Sequence, residues 1–133
     1  MSNDAQRERR TVLVVEDDQT LLTVVAYNLR RAGFRVLEAA DGLAGLDAAR
    51  LAGPELAAVV LDRMLPGRDG LEVLRQLRAD PETRDVGVVV ISASTDEETR
   101  AAALAAGANA FVSKPFGLED LLQHVRDAAL KKS

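Results

Sequence analysis

Unbroken aliphatic runs alternate along this chain with segments in which apolar residues recur every three or four positions. The strongest runs cover residues 12–15, 56–61 and 88–91, and two further short strands are predicted at 35–39, which includes Arg35 and Glu38, and at 110–112. Runs that are apolar throughout are typical of strands buried on both faces, as in a parallel sheet. The chain therefore has five predicted strands, with room for a helix after each one.

Five helices are predicted because the apolar positions of the intervening segments have helical spacing. The fourth is rich in alanine between residues 100 and 106, so it buries little apolar area and we expect it to be the most loosely docked. Either Thr95 or Asp96 can cap it. The apolar stripes of the other helices are Leu22, Val25, Ala26 and Leu29; Leu43 and Leu46; Val73, Leu74 and Leu77; and Leu118, Leu121, Leu122, Val125 and Ala129.

Regular alternation of strands and helices predicts an α/β fold with one doubly wound parallel sheet and helices on both faces. The 133 residues are enough for one domain. Residues 1–10 are polar and highly charged, and they are predicted to form a flexible tail before a single domain at 11–133.

The charge balance narrows the classes of function. The chain has 17 basic and 21 acidic residues and a net charge of −4, which argues against nucleic-acid binding by this domain. The absence of cysteine excludes disulfides and thiolate metal sites. No apolar run approaches the roughly 20 residues of a membrane span. We therefore expect a cytoplasmic protein without a membrane partner.

Polar side chains follow four of the five apolar runs. Glu16, Asp17 and Asp18 follow the first, Asp62 follows the third, Ser92 the fourth, and Lys114 comes shortly after the fifth. Ligands of open parallel sheets bind at the carboxyl ends of the strands. The sequence thus predicts that carboxylates, a hydroxyl and an ammonium group meet at one edge of the sheet.

Carboxylates that lie close together repel one another unless a cation neutralises them. Mg²⁺ suits such a site because it uses one or two carboxylates and pairs with phosphate oxygens, and Mn²⁺ is an expected substitute. Asp62 ends the central strand, where we expect an exposed but rigidly held nucleophile. Lys114 and Ser92 are suited to neutralise and hydrogen-bond a phosphoryl group on it.

Four sequence segments together resemble the receiver domain of two-component response regulators. They are VLVVEDD at 12–18, LDRMLPGRDG at 61–70, VVVISA at 88–93 and FVSKPF at 111–116. The resemblance runs from about Val12 to Ala129 and implies a flavodoxin-like sheet with strand order 2-1-3-4-5. It further implies a phosphoacceptor switch, which catalyses only its own phosphorylation and dephosphorylation.

The resemblance also implies roles for individual metal and phosphate ligands. Asp62 corresponds to the phosphoacceptor, Asp17 to a direct Mg²⁺ ligand and Glu16 to a ligand acting through water. The backbone carbonyl of Met64 completes the protein's share of the metal shell, and Lys114 corresponds to the phosphate partner.

Other positions correspond to the family's switch and to its control of phosphate lifetime. Ser92 and Phe111 resemble the switch pair, with Phe111 turning from an exposed rotamer toward Ser92 on activation. The Lys114–Pro115 bond is expected to be cis. Met64 and Ser94 occupy positions that influence the water that hydrolyses the acyl phosphate, and neither is suited to orient it.

Three further residues are expected to have no part in the phosphoryl chemistry. Asp18 is expected to act as a helix N-cap, Arg63 as an exposed partner contact and His124 as a surface residue.

Two other functions are compatible with parts of the pattern. Phosphatases of the haloacid-dehalogenase type place an Asp-x-Asp motif after the first strand, whereas the candidate nucleophile here follows the third. A flavodoxin-like FMN carrier needs a phosphate loop after the first strand, where Glu16 to Asp18 would repel phosphate. Both interpretations are therefore disfavoured.

The expected partners follow from the resemblance. A histidine kinase or phosphotransfer protein supplies the phosphoryl group, and an effector reads the face formed by helix four, strand five and helix five. A phosphorylation-dependent dimer is a further expectation, but winged-helix regulators carry an acidic pair where this chain has Asn109 and Ala110. The chain corresponds to a single-domain regulator or to the receiver of a larger one.

Overall fold

Five parallel strands form the central sheet in the computed structural model, which describes residues 10–94 and 96–131. The strands are β1 (Thr11–Val15), β2 (Arg35–Ala39), β3 (Leu56–Asp62), β4 (Gly87–Ser92) and β5 (Ala110–Ser113). Their order in the sheet is β2-β1-β3-β4-β5, and all neighbours are parallel. The predicted strand order 2-1-3-4-5 is confirmed, and it places β3 at the centre.

A helix follows each strand. The helices are α1 (Gln19–Arg31), α2 (Gly42–Ala52), α3 (Gly70–Ala79), α4 (Glu97–Ala105) and α5 (Leu118–Leu130). The first four begin at an aspartate whose carboxylate accepts a backbone N–H from the first turn, which stabilises the helix start. Asp96 is the residue that caps α4, whereas Thr95 lies outside the described residues.

The helices cover both faces of the sheet, so the core has two layers. Helices α1 and α5 pack on one face, and α2, α3 and α4 pack on the other. Every residue of β3 and β4 is buried. This double coverage explains why the sequences of the central strands are apolar throughout instead of alternating.

A short antiparallel hairpin between β3 and α3 was not predicted. Met64–Leu65 pairs with Arg68–Asp69, and Gly67 at the turn has φ +70°, a conformation that suits glycine. Pro66 and Gly67 indicate a turn at this place, but strands of two residues are too short to give a period in the sequence.

Helix α4 is held mainly at its C-terminal end. Of its nine residues, all described, only Ala103 is buried. Just beyond the helix, the carbonyl of Gly107 accepts two hydrogen bonds from the Arg78 guanidinium of α3, at 2.8 and 3.1 Å. The same guanidinium donates to the carbonyl of Val86 (2.6 Å) and to Asn109 Oδ1 (3.2 Å). The predicted weak docking of α4 is confirmed for its body but not for its C-terminal end.

The described part of the chain begins at Arg10. Its Nη1 donates to the carbonyl of Ala129 (3.0 Å), and its own carbonyl accepts from the N–H of Arg35 (3.0 Å). The rest of the predicted tail, residues 1–9, lies outside the described residues, as do residues 132–133. Within the described ranges, no helix has the length and apolar character that a membrane crossing requires.

Candidate functional site

The parallel sheet brings the polar residues after β1, β3, β4 and β5 to one edge. Residues 15 and 61 are paired between β1 and β3, so Glu16 and Asp62 extend side by side beyond them. The pairing of β4 with β5 continues past Ser92, whose carbonyl accepts from the N–H of Lys114 at 2.7 Å. The backbone pairing therefore brings four residues distant in sequence to the same edge of the sheet.

Lys114 connects the two innermost carboxylates. Its Nζ lies 3.0 Å from Asp62 Oδ2, to which it donates a hydrogen bond, and 3.1 Å from Glu16 Oε1. Both carboxylate side chains are almost fully buried, at 3% and 1% exposure. The expectation that the Asp62 carboxylate is exposed is wrong, because the Lys114 ammonium offsets its charge and permits its burial.

Glu16 is the least satisfied of these groups. Its Oε2 accepts from the backbone N–H of Asp18 at 3.0 Å. Its Oε1 has the distance of an ion pair to Lys114 but no properly directed hydrogen bond from any described residue. Burial, together with the neighbouring Asp62, raises the pKa of Glu16 from 4.5 to about 7. The ionised form of Glu16 is thus disfavoured at the end of β1, and a nearby cation would favour it.

The pKa of Lys114 is also raised, but for an ammonium group this shift favours the charged form. Burial lowers the pKa of Lys114, but the hydrogen bonds and negative charges of Asp62 and Glu16 outweigh it, so the pKa is raised overall. Lys114 therefore stays charged at neutral pH. One ammonium beside two buried carboxylates still leaves the cluster short of positive charge.

The acidic cluster has the composition of a divalent cation site. Glu16, Asp17 and Asp62 each offer a carboxylate oxygen, and these oxygens lie within 4.8 Å of one another. Asp17 is exposed, so one side of the cluster is open to solvent. Oxygen ligands, an open side and an unsatisfied buried oxygen on Glu16 suit Mg²⁺, which keeps part of its water shell when bound to protein.

Met64 borders this cluster from the hairpin. Its N–H donates to Asp62 Oδ1 at 3.0 Å, and its side chain is 65% exposed. Gly70 holds the hairpin close to the strand end, because a Cβ there would lie 2.2 Å from the Asp62 carbonyl. The role of the Met64 carbonyl as a metal ligand remains a prediction.

Ser92 is buried at the end of β4, and its Oγ accepts from the N–H of Ser94 at 3.1 Å. Phe111 is also buried, at 8% exposure, in the core layer that contains Val88 and Val90. The expectation of an exposed starting rotamer for Phe111 is therefore wrong, because the ring already lies against β4. The roles of Ser92 and Phe111 as a switch pair, and of Ser94 in phosphate lifetime, remain predictions.

Three other outcomes concern single residues. The Lys114–Pro115 peptide bond is cis. Asp18 caps α1 by accepting from the N–H of Leu21, as predicted. His124 lies 3.8 Å from Asp120 on α5 and is partly buried.

Arg63 is less exposed than expected for a residue predicted to contact a partner. Its side chain is only 27% exposed and lies between Met64 and Asp69. A charged residue in a loop gave no sign of this in the sequence, because its burial depends on the hairpin.

The comparisons with known proteins all indicate the same family. Residues 12–126 match the response regulator receiver domain. The probable transcriptional regulatory protein TcrX of Mycobacterium tuberculosis is 40% identical over 116 residues, which are 87% of this chain and 48% of TcrX. YkoG of Bacillus subtilis, an uncharacterized transcriptional regulatory protein, is 40% identical over 127 residues, 95% of this chain and 53% of YkoG. The chain thus spans about half the length of these curated relatives.

A solved structure supports the same assignment. The receiver domain of the sensor histidine kinase PA1611 from Pseudomonas aeruginosa is 30% identical, with a TM-score of 0.82 over 91% of this chain and 98% of that domain. That structure has a magnesium ion coordinated in its active-site cleft. The family is neither that of the dehalogenase-type phosphatases nor that of the flavodoxins. The chain belongs to the response regulator receiver domains of two-component systems.

Proposed function

We propose that this chain is a phosphoacceptor switch of a two-component phosphorelay, in which Asp62 receives a phosphoryl group. The observation that carries the proposal is the position of Lys114 Nζ, 3.0 Å from Asp62 Oδ2 and 3.1 Å from Glu16 Oε1. A buried carboxylate paired with a fixed ammonium and surrounded by further carboxylates suits phosphoryl transfer, which depends on positioning and charge neutralisation.

A phosphohistidine of a histidine kinase or phosphotransfer protein is the proposed donor. An oxygen of Asp62 attacks the phosphorus, the P–N bond breaks, and the electron pair returns to the imidazole, which takes up a proton. Lys114 neutralises part of the charge on the transferred group, and Ser92 donates its hydroxyl to a phosphoryl oxygen.

Glu16, Asp17, Asp62 and the Met64 carbonyl are the residues that would hold Mg²⁺, with Mn²⁺ as a substitute. When bound, the ion supplies the positive charge that a dianionic phosphoryl group requires beside three carboxylates. The proposed chemistry is limited to the protein's own phosphorylation and dephosphorylation, and we place it in the cytoplasm.

Phosphorylation is proposed to be read on the face formed by α4, β5 and α5. Movement of Ser92 toward the phosphoryl group changes the packing of β4 against Phe111, and α4 offers little buried area to resist the change. An effector domain or protein would bind this face. Asn109 and Ala110 at the start of β5 offer no carboxylate for interchain salt bridges, so a phosphorylation-dependent dimer would need other contacts.

The direct test of this proposal is phosphorylation by labelled acetyl phosphate in the presence of Mg²⁺. We expect the wild type to incorporate label and Asp62→Asn to incorporate none, while its circular dichroism spectrum is retained. Asp47→Asn, the same change at an exposed position of α2, is the matched control and should label normally. Labelling of Asp62→Asn at the wild-type rate would place the acceptor elsewhere. Turnover of p-nitrophenyl phosphate or bound flavin would favour the other two functions.

Metal binding has a separate test. Mg²⁺ should raise the melting temperature of the wild type, because a ligand that binds only the folded state stabilises it by mass action. Mn²⁺ should have the same effect. Asp17→Asn should lose most of this shift, and an undiminished shift in that variant would remove Asp17 from the proposed ligands.

A further inference from the structure

We propose that Arg63 is a positioning residue that controls the lifetime of the acyl phosphate by restraining the side chain of Met64. This inference rests on the proposed phosphorylation of Asp62, which immediately precedes Arg63 in the chain. Arg63 does not touch the reacting atoms and acts only through its neighbour.

The backbone of Arg63 is fixed on both sides. Its N–H donates to the carbonyl of Ile91 on β4 at 2.9 Å, and its carbonyl accepts from the N–H of Gly70 at 2.8 Å. The first bond extends the β3–β4 pairing beyond Asp62, and the second closes the base of the hairpin. The guanidinium therefore projects from a rigid point beside the proposed acceptor.

The guanidinium lies against the two residues that face each other at the open end of the hairpin. Its Nη1 is 3.4 Å from Met64 Sδ and donates to it, and its Nη2 is 3.7 Å from Asp69 Oδ2. Met64 and Asp69 are paired residues of the hairpin. Asp69 is itself fixed, because its Oδ1 accepts from the N–H of Leu71 and caps α3. Arg63 is thus held on one side by Asp69 and holds Met64 on the other.

The Nε of Arg63 is buried and has no hydrogen-bond partner among the described residues. Burying a polar N–H without a partner costs free energy. The other two nitrogens, Nη1 and Nη2, contact Met64 and Asp69, and we infer that these contacts orient the guanidinium.

Met64 needs such a restraint if its side chain is to affect the reaction. The side chain is 65% exposed and unbranched, so packing alone selects no single rotamer. Its backbone N–H donates to Asp62 Oδ1 at 3.0 Å, which holds the Met64 backbone against the proposed acceptor. With Sδ held by Arg63, the apolar side chain stays beside the phosphoryl group and limits the approach of water.

The step in question is hydrolysis of the acyl phosphate. A water oxygen attacks the phosphorus, the bond between phosphorus and the Asp62 oxygen breaks, and the carboxylate leaves with the electron pair. The water protons pass to the phosphate and to solvent. The Met64 side chain restricts the access of that water.

The test is a double-mutant cycle on the hydrolysis rate. Each variant is labelled with acetyl phosphate and Mg²⁺, the donor is removed, and the decay of labelled protein is followed. Arg63→Gln should decay about two- to tenfold faster than wild type, the effect expected for loss of one weak hydrogen bond. Met64→Ala should also decay faster. Adding Arg63→Gln to Met64→Ala should give no further acceleration.

Two variants separate positioning from a general loss of structure. Arg68→Gln removes the same charge from the same hairpin, but Arg68 is paired with Leu65 and not with Met64, so this variant should decay at the wild-type rate. Arg63→Lys keeps a donor of similar reach and should recover part of the lifetime.

Several results would overturn the inference. Wild-type decay in Arg63→Gln, or multiplication of the two single effects in the double mutant, would show that Arg63 does not act through Met64. If Arg68→Gln accelerated the decay as much as Arg63→Gln, the effect would come from the change in net charge and not from contact with Met64. Normal labelling with any of these results leaves the proposed function intact, whereas no labelling of the wild type would overturn both proposals.

Discussion

Lys114 donates to Asp62 across 3.0 Å and thereby joins the ends of β5 and β3, which are 52 residues apart in sequence. The same Nζ lies 3.1 Å from Glu16, so one ammonium serves two buried carboxylates. Among the described residues, Lys114 is therefore the cation that pairs with both buried carboxylates of the site.

Replacing Lys114 with glutamine should destabilise the metal-free protein by about 1–3 kcal/mol, because two buried carboxylates then lack their charged partner. Urea unfolding at pH 7.5 measures the change, and Mg²⁺ should reverse part of it. Lys131→Gln, at the exposed end of α5, is the control and should be nearly neutral. Equal stabilities for the two variants would mean that the Lys114 ion pairs contribute nothing to folding.

The raised pKa of Glu16 predicts that the metal-free protein loses stability as the pH rises. The folded chain holds the Glu16 proton up to about pH 7, whereas the unfolded chain releases it near 4.5. Between these values the folded state binds more protons, so the free energy of unfolding falls with increasing pH, by on the order of 1–3 kcal/mol.

The measurement is urea unfolding in EDTA at several pH values from 4.5 to 8. Glu16→Gln carries no titrating group there and should flatten the dependence. Mg²⁺ binds the ionised carboxylates, so it should stabilise the wild type more at pH 8 than at pH 5.5. A metal-free stability that increases steadily across this range would contradict the assignment of the raised pKa to Glu16.

Gly70→Ala should be strongly destabilising and should disturb the site. A Cβ at Gly70 would lie 2.2 Å from the carbonyl of Asp62 and 2.8 Å from the Cα of Arg63, so the strand end or the start of α3 must move. We expect a loss of about 3 kcal/mol or more and a lower rate of phosphorylation. Gly117→Ala is the matched control, since a Cβ at Gly117 would have nothing within 4 Å and the φ there is −80°. A similar loss in both variants would show that the close approach at Gly70 is not the cause, since backbone entropy alone makes Gly→Ala stabilising.

Beryllofluoride, a mimic of the acyl phosphate, should shift the NMR signals of the Phe111 ring and of the α4 amides in the wild type. Ser92→Ala should lose most of the response, because its methyl group cannot donate to the phosphoryl oxygens. A complete shift from 1:99 to 99:1 needs about 5.5 kcal/mol. One hydrogen bond to a charged group supplies roughly 1.5–3 kcal/mol, so Lys114 must contribute as well.

Phe111 is already buried in the structure, so its ring signals should change less than those of α4. We expect partial pre-activation, because phenylalanine has no hydroxyl to keep in contact with solvent. Full α4 shifts in Ser92→Ala with beryllofluoride would show that Ser92 does not couple the two sites.

The sequence predicted the features that depend on burial along the chain. The runs at 12–15, 56–61 and 88–91 became fully buried strands because both faces of the sheet are covered. The strand ends followed from the same pattern, and they located Glu16 and Asp62. Local helix starts such as Asp96 were also predictable, since an N-cap depends only on its next few residues.

The detailed contacts between distant segments were not predictable. The sequence places Lys114 at the same edge of the sheet as Asp62, but it does not show that their ion pair would allow the Asp62 carboxylate to be buried. Arg63 was expected on the surface because arginine usually lies there, and only the hairpin shows why it does not. The Arg78 hydrogen bonds were missed for a related reason, since their acceptors are mainly backbone carbonyls, which have no signature in the sequence.

The hydrogen bonds from Arg78 to Gly107, Val86 and Asn109 anchor the C-terminal end of α4 and make it the natural pivot for the helix. The end of α4 near Ser94 is joined to the proposed phosphorylation site through the hydrogen bonds from Ser94 N to Ser92 Oγ and from Asp96 N to Ser94 Oγ. We expect a displacement at that end to turn the helix about its anchored end instead of translating it. The amplitude of such a motion would decrease along α4, and a binding partner would meet the largest change at the first turn.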